Sequence, residues 1–363
     1  MKLCIINSIL YTPDKGVIPK KESIEDTMIY NLCNGFVELG HDVTLIAAKD
    51  YEPALQPQNK NIKIIFLNSF LPNVFKPSVL PLHLSLYSHL KESDYDLIIS
   101  SEFFSFNTLI ASFYAKNKVV IWHELAKHNR LFFQLPSKIW YNVIGKFIKS
   151  NVVARSESSK AFISKYSTEV ADVCIEHGID LYKFPYCREK QNTFVVLSQL
   201  IPRKRIDKVI YYFERFVKKY PDYKLLIIGD GVLRKDLELL VEELKLGQNI
   251  EFLGQMKHCN LQPLLRSAKG LLIYTRQDNN MVSIPESIAC GTPVLTTSVP
   301  TNSYYIRQYD LGIVKDNWTE SDLENLINYN QKFIDSCILF RQNLSTKFSS
   351  KQFIDFYEST INK

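Results

Sequence analysis

The sequence predicts an α/β protein of two domains, each a parallel sheet covered by helices. Three observations carry that prediction. Short apolar runs alternate with amphipathic helical stretches along the chain, the rhythm of repeated β–α–β units. The length, 363 residues, suits two domains, and a hydrophobic content of 46% is enough to fill two cores. The third observation is one well-punctuated brick, GLLIYTRQDNNMVSIPESIACGTPVLTTS at 270–298. Residues 270–275 read as a buried strand and 276–282 as a polar loop. Ser283 then starts a helix, with Pro285 in its first turn and Glu286 three residues after the cap. Cys290 ends that helix, Gly291 supplies the left-handed stop, and Pro293 leads into a second buried run. The loop lies at the carboxyl end of a strand and the amino end of a helix, where open α/β sheets bind ligands and where free N–H groups suit a diphosphate.

The remaining elements follow in order. Residues 2–6 are the first strand. A loop containing Gly16 follows; a lone loop glycine is more often plain turn chemistry than a ligand contact. Ser23 and Asp26 cap a helix through Leu39, stopped by Gly40, and 43–47 is the second strand. Strands are expected at 63–67, 96–100 and 118–122, with a helix at 80–91. Asp94-Tyr95-Asp96 has the spacing of a divalent-metal motif. It precedes its strand, at the end opposite the ligand edge, so no metal site is assigned. His123 and Glu124 follow the strand 118–122 at that ligand edge.

Residues 127–150 hold five Lys or Arg and no acid, interleaved with aromatics. Ser137 caps a helix with apolar positions 139, 140, 143, 144, 147 and 148 beside a stripe of Lys138, Asn142, Lys146 and Lys149. Packing on the chain's own sheet explains such a helix; a surface for anionic lipid is the alternative. A strand at 151–154, a helix from 155 and the run 171–178 complete the first domain, 1–184. The polar stretch 185–193 opens the second, 185–363. There 194–198 is a strand, followed by Arg203-Lys204-Arg205, which taken alone reads as a solvated charge run. Residues 224–229 form a strand ending in Gly229-Asp230-Gly231, and 250–254 another. From Trp318 onward the chain reads as amphipathic helices, the last of which can cross back to the first domain.

Composition narrows the function classes. The seven cysteines form no CxxC pair and fall mostly in apolar segments, reading as buried thiols of a reducing compartment. The amino-terminal apolar run is too short for a signal peptide, and no run approaches the roughly 18 apolar residues of a membrane span. A net charge of +6 without a recognition motif gives no reason to assign nucleic acid. The expected location is cytoplasmic, with peripheral contact at the inner face of a membrane as the alternative for 127–150.

Asp278 and Glu286 bracket the loop with seven residues between them, D-NNMVSIP-E, followed by SIACGTPV. This resembles the retaining glycosyltransferases of the GT-B architecture, family-four type, which carry acid-x7-acid and then small residue–Cys–Gly–Thr–Pro–Val. The first acid, usually Glu, is Asp here. The resemblance implies that Asp278 and the loop amides of Asn279, Asn280, Met281 and Val282 hold a donor sugar, and that Glu286 holds the ribose hydroxyls of its nucleotide. From the residues alone, Glu286 could equally close a capping box with Ser283.

The likeness extends over most of the chain. ELGHDVTLI at 38–46 matches the family's Leu-Gly-His-x-Val, and Gly16 stands where members carry a glycine pair. His123 occupies the place of a histidine aimed at the donor sugar. HGIDLYKF at 177–184 resembles the turn between domains, with His177 replacing Asn. QLIPRKR at 199–205 resembles the diphosphate-binding loop: Lys204 matches its lysine, Gln199 stands at its arginine, and Arg203 is placed to replace that charge. Met256 falls where members touch the base.

The resemblance therefore implies two Rossmann-like domains facing a cleft. It implies transfer of a sugar from a UDP- or GDP-linked donor to a saccharide or lipid-linked acceptor, with retention of configuration, in bacterial-type surface polysaccharide or glycolipid assembly. His123, Asp278 and Lys204 are the expected catalytic residues, and neither cofactor nor metal is expected. The alternatives are a non-catalytic partner subunit of the same fold, suggested by Gln199 and Asp278, and a nucleotide-sugar epimerase or phosphorylase.

Overall fold

A computed structural model describes residues 1–10, 23–55, 57, 61–74, 81–126, 135–256, 258–278 and 280–361. Gly16 and Asn279 lie outside the described residues, as does 127–134. The chain divides into two compact units, Met1–Gly178 with Ser345–Lys363, and Ile179–Leu344. Six residues, Ile179 to Phe184, thus belong to the second unit. The Ile179 N–H donates to the Leu344 carbonyl at 2.6 Å, and Phe184 is buried in that unit's core.

The first unit holds seven parallel strands: β1 (Lys2–Ile6), β2 (Asp42–Ala48), β3 (Ile62–Leu67), β4 (Leu97–Ser101), β5 (Val119–His123), β6 (Asn151–Ala154) and β7 (Val170–Cys174). Their order is β3-β2-β1-β4-β5-β6-β7. Alternate residues of β1 enter different cores, Leu3 and Ile5 on one face and Cys4 and Ile6 on the other. Both faces are therefore covered, which is why the strand is an unbroken apolar run. The covering helices are α1 (Met28–Glu38), α2 (Ser85–Glu92), α3 (Phe106–Ala115), α4 (Leu135–Asn142) and α5 (Glu157–Ile163).

The second unit repeats the plan with six parallel strands: β8 (Gln191–Leu197), β9 (Lys224–Ile228), β10 (Ile250–Gly254), β11 (Ala268–Leu272), β12 (Val294–Thr296) and β13 (Gly312–Val314). They are ordered β10-β9-β8-β11-β12-β13. Its helices are α6 (Ile206–Val217), α7 (Arg234–Glu243), α8 (His258–Ser267), α9 (Ser283–Ala289), α10 (Ser303–Gln308), α11 (Glu320–Asn328) and α12 (Asn330–Phe340). Each sheet reverses its winding once, between β1 and β4 and between β8 and β11. Loops leaving the carboxyl ends of those strands are where doubly wound sheets bind ligands.

The final helix, α13 (Thr346–Ile361), packs on α1 of the first unit. Gly35 permits this closeness: a Cβ there would lie 2.5 Å from the Thr346 carbonyl oxygen. Ser350 donates to the Leu32 carbonyl at 3.1 Å, and Phe353 packs on Phe36.

Several local expectations change. Ser23 caps only a short 3-10 turn, Ile24–Asp26, and α1 begins at Met28 because Thr27 accepts the Tyr30 N–H at 3.2 Å. α2 starts at Ser85, and the strand expected at 270–275 is β11, two residues earlier. Ser283 is the first residue of α9 rather than its cap; Val282 precedes the helix and offers no side-chain oxygen. Ser137 lies inside α4, which ends at Asn142 and gives way to a 3-10 turn, Ile144–Phe147. Trp140, Tyr141 and Ile148 are buried there, whereas Ile139, Val143 and Phe147 are exposed. Among the described residues, no helix is long and apolar enough to cross a membrane.

Candidate functional site

The main cluster of predicted residues sits at the winding reversal of the second unit. β8 runs out into Ser198–Ile201 and then a 3-10 turn, Pro202–Lys204. Gly229 and Gly231 let the turn after β9 pass against this segment, where a Cβ on either would strike the backbone of Ser198 or Leu200. Leu200 and Asp230 are joined by a backbone hydrogen bond of 3.0 Å. The lysine turn is thereby held from below, and its neighbour is the loop leaving β11. Arg276 donates its N–H to the Arg203 carbonyl at 2.9 Å, and Thr275 Oγ1 donates to the same oxygen at 3.3 Å.

That scaffold brings three charged side chains together. Lys204 Nζ donates to Asp278 Oδ2, and Arg203 donates to the same oxygen at 3.2 Å and to the Gln277 carbonyl at 2.6 Å. Lys204 is buried and Arg203 is partly exposed. Burial pulls the Lys204 ammonium below its ordinary value, while the hydrogen bond and charge of Asp278 oppose that pull. Two cations on one carboxylate leave this turn with a net charge of +1. The charge run is therefore not a solvated one, at least at Lys204.

Glu286 lies in α9, every residue of which is buried. Its own side chain is 4% exposed, and burial lifts the carboxyl to about 8. No capping box is formed, since Val282 holds the cap position. The loop before α9 is clamped by residues with no sequence motif to mark them. Buried Asn302 accepts the Met281 N–H at 3.3 Å and donates to the Met281 carbonyl at 2.9 Å. Thr301 donates to Asn280 Oδ1 at 2.6 Å. Met281 is buried, Val282 exposed and Met256 half-buried against the same core. Gln199 is exposed, and only its carbonyl oxygen takes part in hydrogen bonds among those described.

The first unit contributes a second cluster at the carboxyl ends of its strands. His123 is the last residue of β5 and fully buried; its Nδ1 lies 2.9 Å from Glu102 Oε2. Glu102 follows β4, at that sheet's winding reversal, with a left-handed φ of 70° that costs a non-glycine residue about 1–3 kcal/mol. Burial pushes its carboxyl up, but His123 and Arg155 together hold it below the usual range. Arg155, just past β6, stacks over Trp122 at 3.7 Å and contacts Glu124 at 2.5 Å and His177 Nε2 at 2.9 Å. Glu102 carries no family motif; its position at a strand's carboxyl end, shared with His123, was the available signal. Asp94 and Asp96 are occupied elsewhere, by Lys118 at 3.2 Å and the Lys2 N–H at 2.7 Å. Among the described residues, no group of three His, Cys, Asp or Glu could hold a metal ion.

Residues 26–183 match the model described as Glycosyltransferase Family 4, and residues 182–332 match Glycosyl transferases group 1. A human phosphatidylinositol N-acetylglucosaminyltransferase subunit is 24% identical over 310 residues, covering 82% of this chain and 62% of that protein. The alpha-monoglucosyldiacylglycerol synthase of Streptococcus pneumoniae is 26% identical over 183 residues, covering 46% of this chain and 41% of the relative. The chain thus spans less than two thirds of either. Among solved structures, Anabaena HepE in complex with UDP superposes with a TM-score of 0.66 at 13% identity, covering 99% of this chain and 100% of that one. The same Anabaena protein is also known with UDP-glucose.

Proposed function

Because the chain belongs to the group 1 glycosyl transferases of the GT-B fold, we propose that it moves a sugar from a nucleotide-diphosphate donor to an acceptor hydroxyl with retention of configuration. The observation that carries this reading is the convergence of Arg203, Lys204 and Asp278 beside a loop that leads to buried Glu286. Arg203 and Lys204 take the diphosphate, whose negative charge grows as the glycosidic bond breaks. Glu286 accepts the ribose hydroxyls. Asp278, with the loop amides of Asn280, Met281 and Val282, holds the sugar, and His123 adds one hydrogen bond to it. Exposed Gln199 supplies no charge, so Arg203 carries that share.

No carboxylate is assigned as a nucleophile. The acceptor oxygen bonds to C1 on the face from which the diphosphate departs, and the acceptor's proton passes to the leaving phosphate oxygen. The two cations supply the neutralisation, so neither cofactor nor metal is assigned. HepE is described with UDP and UDP-glucose, which makes uridine-linked donors the first to try. The names of the human and streptococcal relatives specify lipid acceptors, which favours glycolipid assembly. A peripheral contact with anionic lipid fits exposed Ile139, Val143 and Phe147 beside exposed Lys138, Lys146 and Lys149. Binding to phosphatidylglycerol vesicles that weakens with salt, and none to phosphatidylcholine, is the expected outcome.

The reading is tested by incubating the protein with UDP- and GDP-sugars, with and without saccharide and glycolipid acceptors. The anomeric configuration of the product is then read by NMR. Acceptor-dependent release of nucleoside diphosphate and an α-linked product from an α-linked donor are expected. Sugar rearranged without an acceptor would point to an epimerase instead.

A further inference from the structure

We propose that Glu102 is the positioning residue of His123: its carboxylate fixes Nδ1 as the protonated nitrogen and leaves Nε2 for the sugar. The proposal rests on the reading that His123 meets the donor. Its geometry is independent of that reading. Glu102 Oε2 lies 2.9 Å from Nδ1, an ion-pair contact whose geometry falls short of a formed hydrogen bond, and Glu102 Oε1 accepts the Glu124 N–H at 3.1 Å, so Nδ1 is the ring nitrogen that faces the carboxylate. His123 Nε2 has no hydrogen-bond partner among the described residues, in a side chain that is fully buried. A buried ring nitrogen with no protein partner takes one from a ligand or an ordered water.

The backbone around Glu102 is built to aim it. The Glu102 N–H donates to the Trp122 carbonyl at 3.0 Å, and its own carbonyl accepts Thr108 Oγ1 at 2.8 Å and the Ser105 N–H at 3.2 Å. These bonds hold the residue in its left-handed conformation. Phe162 stacks on the imidazole at 6.0 Å between ring centroids, fixing the ring plane while the carboxylate fixes its rotation. Burial alone would favour the neutral carboxyl; His123 and Arg155 keep it ionised, the form that accepts from Nδ1–H. A carboxylate–histidine pair of this kind sets which nitrogen faces the reaction.

The test combines spectroscopy with kinetics. In protein labelled with ¹⁵N-histidine, His123 is assigned from the spectrum lost in His123→Asn. Wild type should show Nδ1 protonated. A neutral ring carrying its proton on Nε2 would overturn the proposal. Glu102→Gln, which keeps the shape, should change the ¹⁵N pattern and lower kcat about 10-fold or more, by analogy with other carboxylate–histidine pairs. It should leave the affinity for UDP as it was, since Glu286, Arg203 and Lys204 are untouched. Adding Glu102→Gln to His123→Asn should cost nothing further. If His123→Asn slows transfer and Glu102→Gln does not, the positioning role is wrong. If His123→Asn itself transfers at the wild-type rate, the assignment of His123 to the donor fails instead.

Discussion

Glu286→Gln should make the protein more stable and its grip on nucleotide weaker. The side chain is 4% exposed, and burial lifts its carboxyl from 4.5 to about 8. An acid whose folded value lies above its unfolded one keeps its proton in the native state while the unfolded chain has lost it. Wild-type stability is therefore complete below about pH 4.5 and falls as pH rises towards about 8. At about 1.36 kcal/mol for each tenfold change in proton affinity, the carboxyl's rise bounds the loss at about 5 kcal/mol. Glutamine keeps the shape and never ionises. The variant should match wild type near pH 4.5 and exceed it by up to several kcal/mol at pH 8, a rise of several degrees in Tm. Against that gain stands the replacement of one of the two accepting carboxylate oxygens by a donating NH2 that faces a ribose hydroxyl, about 2–3 kcal/mol of binding, or roughly 30- to 150-fold. Calorimetric melting at pH 5, 6.5 and 8, followed by nucleoside diphosphate titrations, reads both effects. A capping role would instead give a loss of about 1 kcal/mol in stability and unchanged binding. Lower stability with wild-type affinity would refute the reasoning.

Lys204→Ala should lower kcat about 100-fold or more with a smaller change in donor KM, because its charge matters most as the diphosphate departs; equal turnover, measured by nucleotide release, would return Lys204 to a structural role. Transfer should persist in excess chelator, since Arg203 and Lys204 supply the neutralisation; activity lost to chelator and restored by manganese would contradict that. Gly35→Ala should destabilise the first unit by about 1–3 kcal/mol, because its Cβ would meet the Thr346 backbone at 2.5 Å and push α13 from α1. Urea denaturation followed by near-UV circular dichroism measures this, and a neutral result would mean that the helix pair can relax.

The fold was legible because its information is local. Strands buried on both faces are unbroken apolar runs, and Gly40 and Gly291 take the positive φ that ends a helix. Lys204, Asp278 and Glu286 were legible because backbone turns fix their spacing, which leaves a motif. What stayed hidden depends on contacts between distant segments. Glu102 and His123 lie 21 positions apart, and only adjacent strand ends join them. Asn302 clamps the loop before α9 from the far side of β12, with no periodicity to show it. α4 misled for another reason. Beside the polar stripe, apolar residues face both core and solvent, so period alone could not tell buried Trp140 and Tyr141 from exposed Ile139, or from exposed Val143 just past the helix. The expected cap at Ser283 failed because α9 begins one residue too early for that side chain to serve.

The most direct test of the central claim is a calorimetric titration of the protein with a panel of nucleoside diphosphates, repeated on Lys204→Ala and Glu286→Gln. Arg203, Lys204 and Glu286 are assigned to the diphosphate and ribose that such ligands share. One base should therefore bind most tightly, and both variants should weaken that binding. If no nucleoside diphosphate binds, or if both variants bind as wild type does, this cluster is not a nucleotide-sugar site.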